Sequence, residues 1–330
     1  ATATHLLIGC GSSGTPTAPP VDKPAGDVPD TATVTPSPTA TVSPTVTPTP
    51  IVDAPLWDPS VLTPVYVAHD PAGARGYPNE PPFDPDTAYP DVPYPLSRTA
   101  PQNGAYHLVR EALRLFQPLG FGQADWNPLE GLIHPGDRVL IKPNLVDASA
   151  WTQGQMTHPA MLRPIIDYAY KACGPTGQIM VGDGPWSVDV FDPLVDTTGI
   201  RALVRHLTEA YGIPVFLQDL NAVDHETTPL VDLGTHSELH AEPRTWYDAH
   251  GEVLIEGGDP GIGSYRISPA VLEADVVISV PKAKVHCSGG ITVAMKNMIG
   301  IIPAWDGAYG DGVLKECAHT SDADRAAARH

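Results

Sequence analysis

Beyond residue 60 the chain alternates two kinds of apolar pattern. Short, continuous apolar runs rich in Val, Ile and Leu occur at VYVAHD (65–70), RVLIKPNL (138–145), QIMVGDG (178–184), PVFLQDL (214–220) and DVVISVPKAK (275–284). Runs of that length and composition predict buried strands. Between them, apolar residues return at helical spacing. Tyr106, Leu108, Ala112, Leu113 and Phe116 predict one helix that stops near Gly120. THPAMLRPIIDYAYKACG (157–174) predicts another, with Thr157 as its cap, His158 near the first turn and Gly174 past the end; Ile200 to Tyr211 predicts a third. Strands alternating with helices predict an α/β fold, a mainly parallel sheet with flanking helices. The proline-rich residues 71–101 are far longer than an ordinary connection and predict either a lid or an irregular segment hugging the surface.

The first sixty residues follow neither pattern. From Thr15 to Pro50 ten residues are Pro and ten are Thr, too little apolar surface to offset the entropy of ordering. A disordered Pro/Thr-rich tether is expected over residues 11–60, able to reach up to about 150 Å in polyproline II form. Before it, ATATHLLIGC (1–10) looks like the end of a bacterial lipoprotein signal whose beginning is missing, with Cys10 as the lipidated residue; the alternative is an ordinary apolar strand ending in cysteine. On the lipoprotein reading the α/β domain, residues 61–330, stands outside the cytoplasmic membrane, at the cell surface or in the periplasm. Its only membrane contact is then the lipid at Cys10, since no run of about eighteen apolar residues occurs.

Charge changes the picture most. The formal net charge is −19, which argues against nucleic acid as a partner. Only seven residues are lysine, yet Lys282, Lys284 and Lys296 fall within PKAKVHCSGGITVAMKNMIG (281–300). In parallel sheets ligands gather beyond the carboxyl ends of the strands. The expected ends carry Lys142 and Asn144, Gly182 and Asp183, Asp219, and Lys282, Lys284 and His286, which one crevice could collect. If the last strand ran on to His286, Lys282, Lys284 and His286 would project to one side, and like charges so close call for an anion or a facing carboxylate. Ser288, Gly289 and Gly290 would allow close backbone approach, and a helix starting after them would favour an anion further. The plainer alternatives are lysines reaching to solvent, a strand-to-loop turn at KPN (142–144), and an Asx turn at Asp183 between its two glycines.

Metal chemistry stays open. His158, Asp183, His286 and Cys287 are candidate ligands without a recognised spacing, and Cys287 is either a thiolate nucleophile or an inert buried thiol. Cys173, Cys287 and Cys317 show no CxxC spacing, so no ferredoxin-like cysteine module or disulfide framework is expected, though one disulfide plus a free thiol remains compatible. The cofactor is unknown.

Four segments, RVLIKPNLV, THP (157–159), VGDGP and above all ADVVISVPKAKVHCSGGITVAMKNMIG, resemble the domain-of-unknown-function family 362, over about residues 61–330. The resemblance implies an α/β domain that continues past His330, and it implies no particular chemistry. Three readings follow. In the first, an extracytoplasmic enzyme acts on a small phosphate- or carboxylate-bearing substrate: Lys142, Lys282, Lys296, Ser288, Gly289 and Gly290 hold it, Asn144 or Asn297 orients it, and His286, Asp183 and Lys284 do the chemistry. In the second, a surface lipoprotein captures an anion without turnover. In the third, His286 and Cys287 serve a metal or redox protein.

Overall fold

A computed structural model describes residues 65–69, 76, 78, 80–186, 189–223, 228, 230–232, 246–247, 253–255, 264–286 and 290–303. Cys10 and the Pro/Thr-rich stretch lie outside them, as do Cys287, Ser288 and Gly289. Ten strands are assigned: β1 (Arg138–Pro143), β2 (Gln178–Asp183), β3 (Val215–Asp219), β4 (Leu230–Asp232), β5 (Trp246–Tyr247), β6 (Val253–Ile255), β7 (Ser264–Arg266), β8 (Val276–Val280), β9 (Lys284–His286) and β10 (Gly290–Thr292). The helices are α1 (Gly104–Phe116), α2 (Ala148–Thr152), α3 (Leu162–Cys173), α4 (Phe191–Thr197), α5 (Ile200–Tyr211), α6 (Pro269–Leu272) and α7 (Ala294–Asn297), with 3-10 turns at Pro159–Met161 and Met298–Ile301.

Four strands form a parallel sheet in the order β3-β2-β1-β8. The chain winds outward from β1 through α3 to β2 and through α4 and α5 to β3, then returns to place β8 on the other side of β1. The strand order therefore reverses between β1 and β8, and their carboxyl ends form the crevice where such sheets bind ligands. The predicted α/β class holds, with β1 central.

The two faces of the sheet are unequal. Val139, Ile141, Ile179, Val181, Val215, Ile278 and Val280 turn to a large core shared with α1, α3, α4 and α5, whereas Leu140 and Met180 meet only Leu220 and the region of α6. Alternation puts Lys142 on this second, thinner face, after Leu140. Gly182 is needed within β2 because a Cβ there would run into the Gln218 carbonyl of β3.

Several expectations need correction. VYVAHD is not a core strand: residues 65–69 are irregular, Val65 and Val67 are 72% and 73% exposed, and only Tyr66 packs, edge-on to Phe116. The run lies between Pro64 and Pro71, which lack the N–H a ladder needs. β8 does not reach Lys284, because Pro281 ends it; Lys284 and His286 instead form β9, antiparallel to β10. The Gly-rich stretch does not open a helix. Gly290 begins β10, and α7 has only four residues starting at Ala294, too short for an anion site at its end. Nor does Thr157 cap the next helix. The side chain of His158 accepts from Ala160 N at the start of the 3-10 turn, and α3 follows directly.

Residues 80–101 hug the body rather than forming a lid. Arg163 of α3, fully buried, donates to the Pro82 carbonyl at 2.8 Å, Asp84 at 3.0 Å, the Tyr94 hydroxyl at 3.0 Å and Asp167 at 3.1 Å. Arg110 of α1 grips Asp91 through Nε and Nη2, and the Tyr168 hydroxyl donates to the same carboxylate. Asn103 caps α1 by accepting from Tyr106 N and donates its amide to the Phe83 and Asp84 carbonyls. Replacing Arg163 by Leu leaves Asp167 buried without its cation and Asp84 with Arg98 alone, and should cost about 3–5 kcal/mol. It should show as a lower urea-unfolding midpoint together with new protease cleavage within residues 80–101.

Candidate functional site

The floor of the crevice is a buried ion pair. Lys142 Nζ donates to Asp183 Oδ1, and the two side chains are 1% and 2% exposed. The second carboxylate oxygen accepts from Leu145 N at 2.7 Å, which ties the chain leaving β1 to the end of β2. Asn297 completes the cluster: its amide donates to the Lys142 carbonyl and to Ser279 Oγ, both at 3.0 Å, and its oxygen lies 3.5 Å from Lys142 Nζ. Two desolvated charges are tolerated only when both are paired and hydrogen-bonded, as here.

The turn at Met298–Ile301 covers this pair. Gly300 O accepts from Gly184 N at 3.0 Å, and a Cβ on Gly300 would collide with Asp183 Oδ1 and lie 2.7 Å from Lys142 Nζ and 3.1 Å from Gly184 O. Only glycine lets the turn sit so low. Lys142, Asp183 and Asn297, expected to face a ligand, are thus brought together but beneath the surface.

Above the floor, Thr157 joins β1 to β8. Its N–H donates to Asn144 O at 3.0 Å, its hydroxyl oxygen accepts from Asn144 N at 2.9 Å, and that hydroxyl donates to Val280 O at 2.6 Å. Asn144 is thereby fixed at the switch point, with its side-chain oxygen buried and unpartnered among the described residues. His158 follows, its ring edge-on to Phe83 and tilted against Trp151. Because its Nδ1 accepts from Ala160 N, its proton sits on Nε2. Burial, assisted by the charge of Lys282, pushes its pKa down to about 4, so it is neutral at pH 7.

Lys284 is half-buried, and its ammonium donates to the Gln155 carbonyl at 2.7 Å. Burial and the neighbouring Lys282 lower its pKa, against the opposing pull of Asp147 and Asp183. Asp147 caps α2, and hydrogen bonds from Ser149 Oγ and Ala150 N hold its pKa below the usual carboxylate range. Among the described residues neither Lys282 nor Lys284 forms an ion pair with a carboxylate. Lys296 lies half-buried on α7, His286 pairs with Gly290 across the β9–β10 ribbon, and Asp219 at the end of β3 accepts from Asn221 N at 2.8 Å. Among the described residues no three His, Cys, Asp or Glu side chains gather as a metal cage would require, which leaves the question of cofactors where it was.

A search with family models adds the identity of the whole. The model for the domain of unknown function DUF362 matches residues 139–324. The chain belongs to the DUF362 family. The matched stretch begins inside β1 and takes in Lys142, Asn144, Thr157, Asp183 and Lys282 to Gly300. Among curated proteins, the chain is 26% identical over 196 residues to thylakoid-associated protein sll1697 of Synechocystis sp. (strain ATCC 27184 / PCC 6803 / Kazusa). The alignment takes in 59% of this chain and 46% of that protein, so the DUF362 chain spans less than half the length of this relative. No solved structure matches.

Sequence reasoning missed Gly300 and Asp147, and it read Thr157 as a helix cap rather than as the link between strand ends. The signal for Asp147 was present, a short acidic residue directly before a helix-forming ASA. Gly300 had none, since its need arises from an ion pair formed by residues more than a hundred positions away.

Two outcomes test this geometry. Gly300→Ala should destabilise the protein by about 1–3 kcal/mol through overpacking, measured by urea denaturation against Gly131→Ala, where an added Cβ meets nothing within 4 Å. His158 makes the fold acid-sensitive. As pH falls from about 6.5 to about 4 the unfolded chain binds a proton on this residue that the folded one refuses, so stability is full above that window and declines through it. Allowing for its partial exposure, the loss should be on the order of 2 kcal/mol. His158→Asn, which keeps a capping oxygen, should flatten that part of the stability–pH curve.

Proposed function

We propose that this DUF362 chain is an enzyme acting on a small phosphate- or carboxylate-bearing substrate, held in the crevice at the carboxyl ends of β1 and β8. One observation carries the reading. Lys282 lies close enough to Lys284 to destabilise the charge of Lys284, with no carboxylate salt-bridged to either among the described residues. Water alone is a poor answer to such a pair, whereas a bound anion relieves the repulsion. Anion capture needs no more than that. Catalysis is favoured because a neutral His158 lies near Lys282, giving a proton carrier beside the charge, and Asn144 at the end of the central strand keeps an unpartnered side-chain oxygen that could orient a substrate. His286 shares β9 with Lys284 and is a second candidate for moving protons.

The extracytoplasmic location belongs to the same proposal. A lipid at Cys10 would place the domain at a membrane surface without any spanning helix, and the described residues contain no helix long and apolar enough to cross one. A relative named thylakoid-associated protein supports a membrane-proximal setting.

Calorimetric titration of the full chain with inorganic phosphate and with citrate tests the site. Binding should weaken about tenfold in Lys282→Ala and fall further with added salt. Binding that ignores Lys282 removes the reading. Screening phosphomonoesters and small carboxylic acids for turnover then separates enzyme from carrier: turnover lost in His158→Asn or His286→Ala with binding retained supports catalysis, and binding with no turnover supports simple capture.

A further inference from the structure

The lysines of the described residues differ in what holds them. Lys142 is sealed against Asp183. Lys171, on the last turn of α3, is pinned by the Asp91 and Ala124 carbonyls at 2.7 and 2.6 Å, with no second cation acting on it. Lys284 combines a half-buried amine, a fixed position on a neutral carbonyl acceptor, and a second lysine close by. A backbone carbonyl accepts from a free amine as well as from an ammonium, though more strongly from the ammonium, and unlike a carboxylate it adds no opposite charge to hold the proton. Asp147 and Asp183 act on Lys284 from a distance, and Asp147 is already occupied with Ser149 and Ala150.

An amine desolvated beside another cation is the arrangement that makes lysine nucleophilic near neutral pH. We propose that Lys284 is the covalent residue of the site and forms a Schiff base with the carbonyl of a 2-oxo acid whose carboxylate rests at Lys282. This rests on the anion-site reading and narrows its substrate class. The free amine adds to the carbonyl carbon, the C–O π pair moves to oxygen, and that oxygen takes up a proton. The resulting carbinolamine hydroxyl accepts a second proton and leaves as water, while the nitrogen lone pair forms the C=N bond. The proton that the entering amine gives up meets one of these demands, so the net change is amine plus carbonyl plus one proton giving iminium plus water. No oxidant, reductant or metal is consumed.

The test is reductive trapping in the full chain with pyruvate as probe and sodium borohydride as reductant, followed by peptide mass mapping. One reduced adduct per chain is expected on Lys284. It should be absent in Lys284→Arg, at least about tenfold slower in Lys282→Ala, suppressed by inorganic phosphate, and much weaker with acetone, which lacks the carboxylate. Calorimetry with pyruvate runs alongside. Pyruvate that binds through Lys282 without an adduct on Lys284 overturns the covalent role and leaves the anion site standing. An adduct no faster than that on the urea-unfolded chain overturns it as well, and loss of both binding and trapping removes the anion site too.

Discussion

The Lys142–Asp183 ion pair is the constraint on which the crevice depends. It joins the second-last residue of the central strand to the end of its neighbour. Through Leu145 N it fixes the exit of β1, and through Asn297 and the turn over Gly300 it fixes the segment that follows β10. Burying two charges contributes little net stability, and a well-packed apolar pair of similar volume would do as well. What the pair contributes is definition: an error in the placement of any of these segments would strand a charge in a dry interior. The walls above it inherit their positions from that requirement, with Thr157 locking the neighbouring strand ends.

The net charge of this DUF362 chain is opposite in sign to the two lysines, Lys282 and Lys284, on which the proposed site rests. A net −19 repels anions at long range, yet ions in solution screen such a field within about 8 Å. On the proposed reading Lys282 and Lys284 act inside that distance, against the opposing pull of Asp147 and Asp183 on Lys284. An acidic protein can thus hold an anion, provided its few lysines are concentrated where water is scarce.

Much of the sheet was legible because its strands carry their burial in their composition. RVLIKP and QIMVGD are apolar on both faces, as strands covered on both sides must be, while VFLQD carries a similar composition at the less covered edge of the sheet, and the helix at Ile200–Tyr211 declared itself by spacing. VYVAHD had the same composition, yet its residues 65–69 pair with no strand among the described residues, which composition cannot reveal. Pro281 was visible in the last run, but its effect depended on where the hydrogen-bond ladder fell. The site was legible as a list of polar strand ends and illegible as a depth profile. Lys142, Asp183 and Lys284 look alike along the chain, and only the packing of α7 and the turn after it seals the first two and leaves the third half-open. Of the lysine-bearing stretch 281–300, Cys287, Ser288 and Gly289 lie outside the described residues.

Residues 80–101 show how a segment can be held without secondary structure. Arg163, Arg110 and Asn103 grip it by side chains, while few of its own amides find backbone partners. Rigidity and amide protection are therefore uncoupled there. Its peptide hydrogens should exchange with solvent through small local excursions while the buried ring of Phe83 is held by packing, so the same stretch should register as loose to hydrogen exchange and as solid to ring-flip measurements.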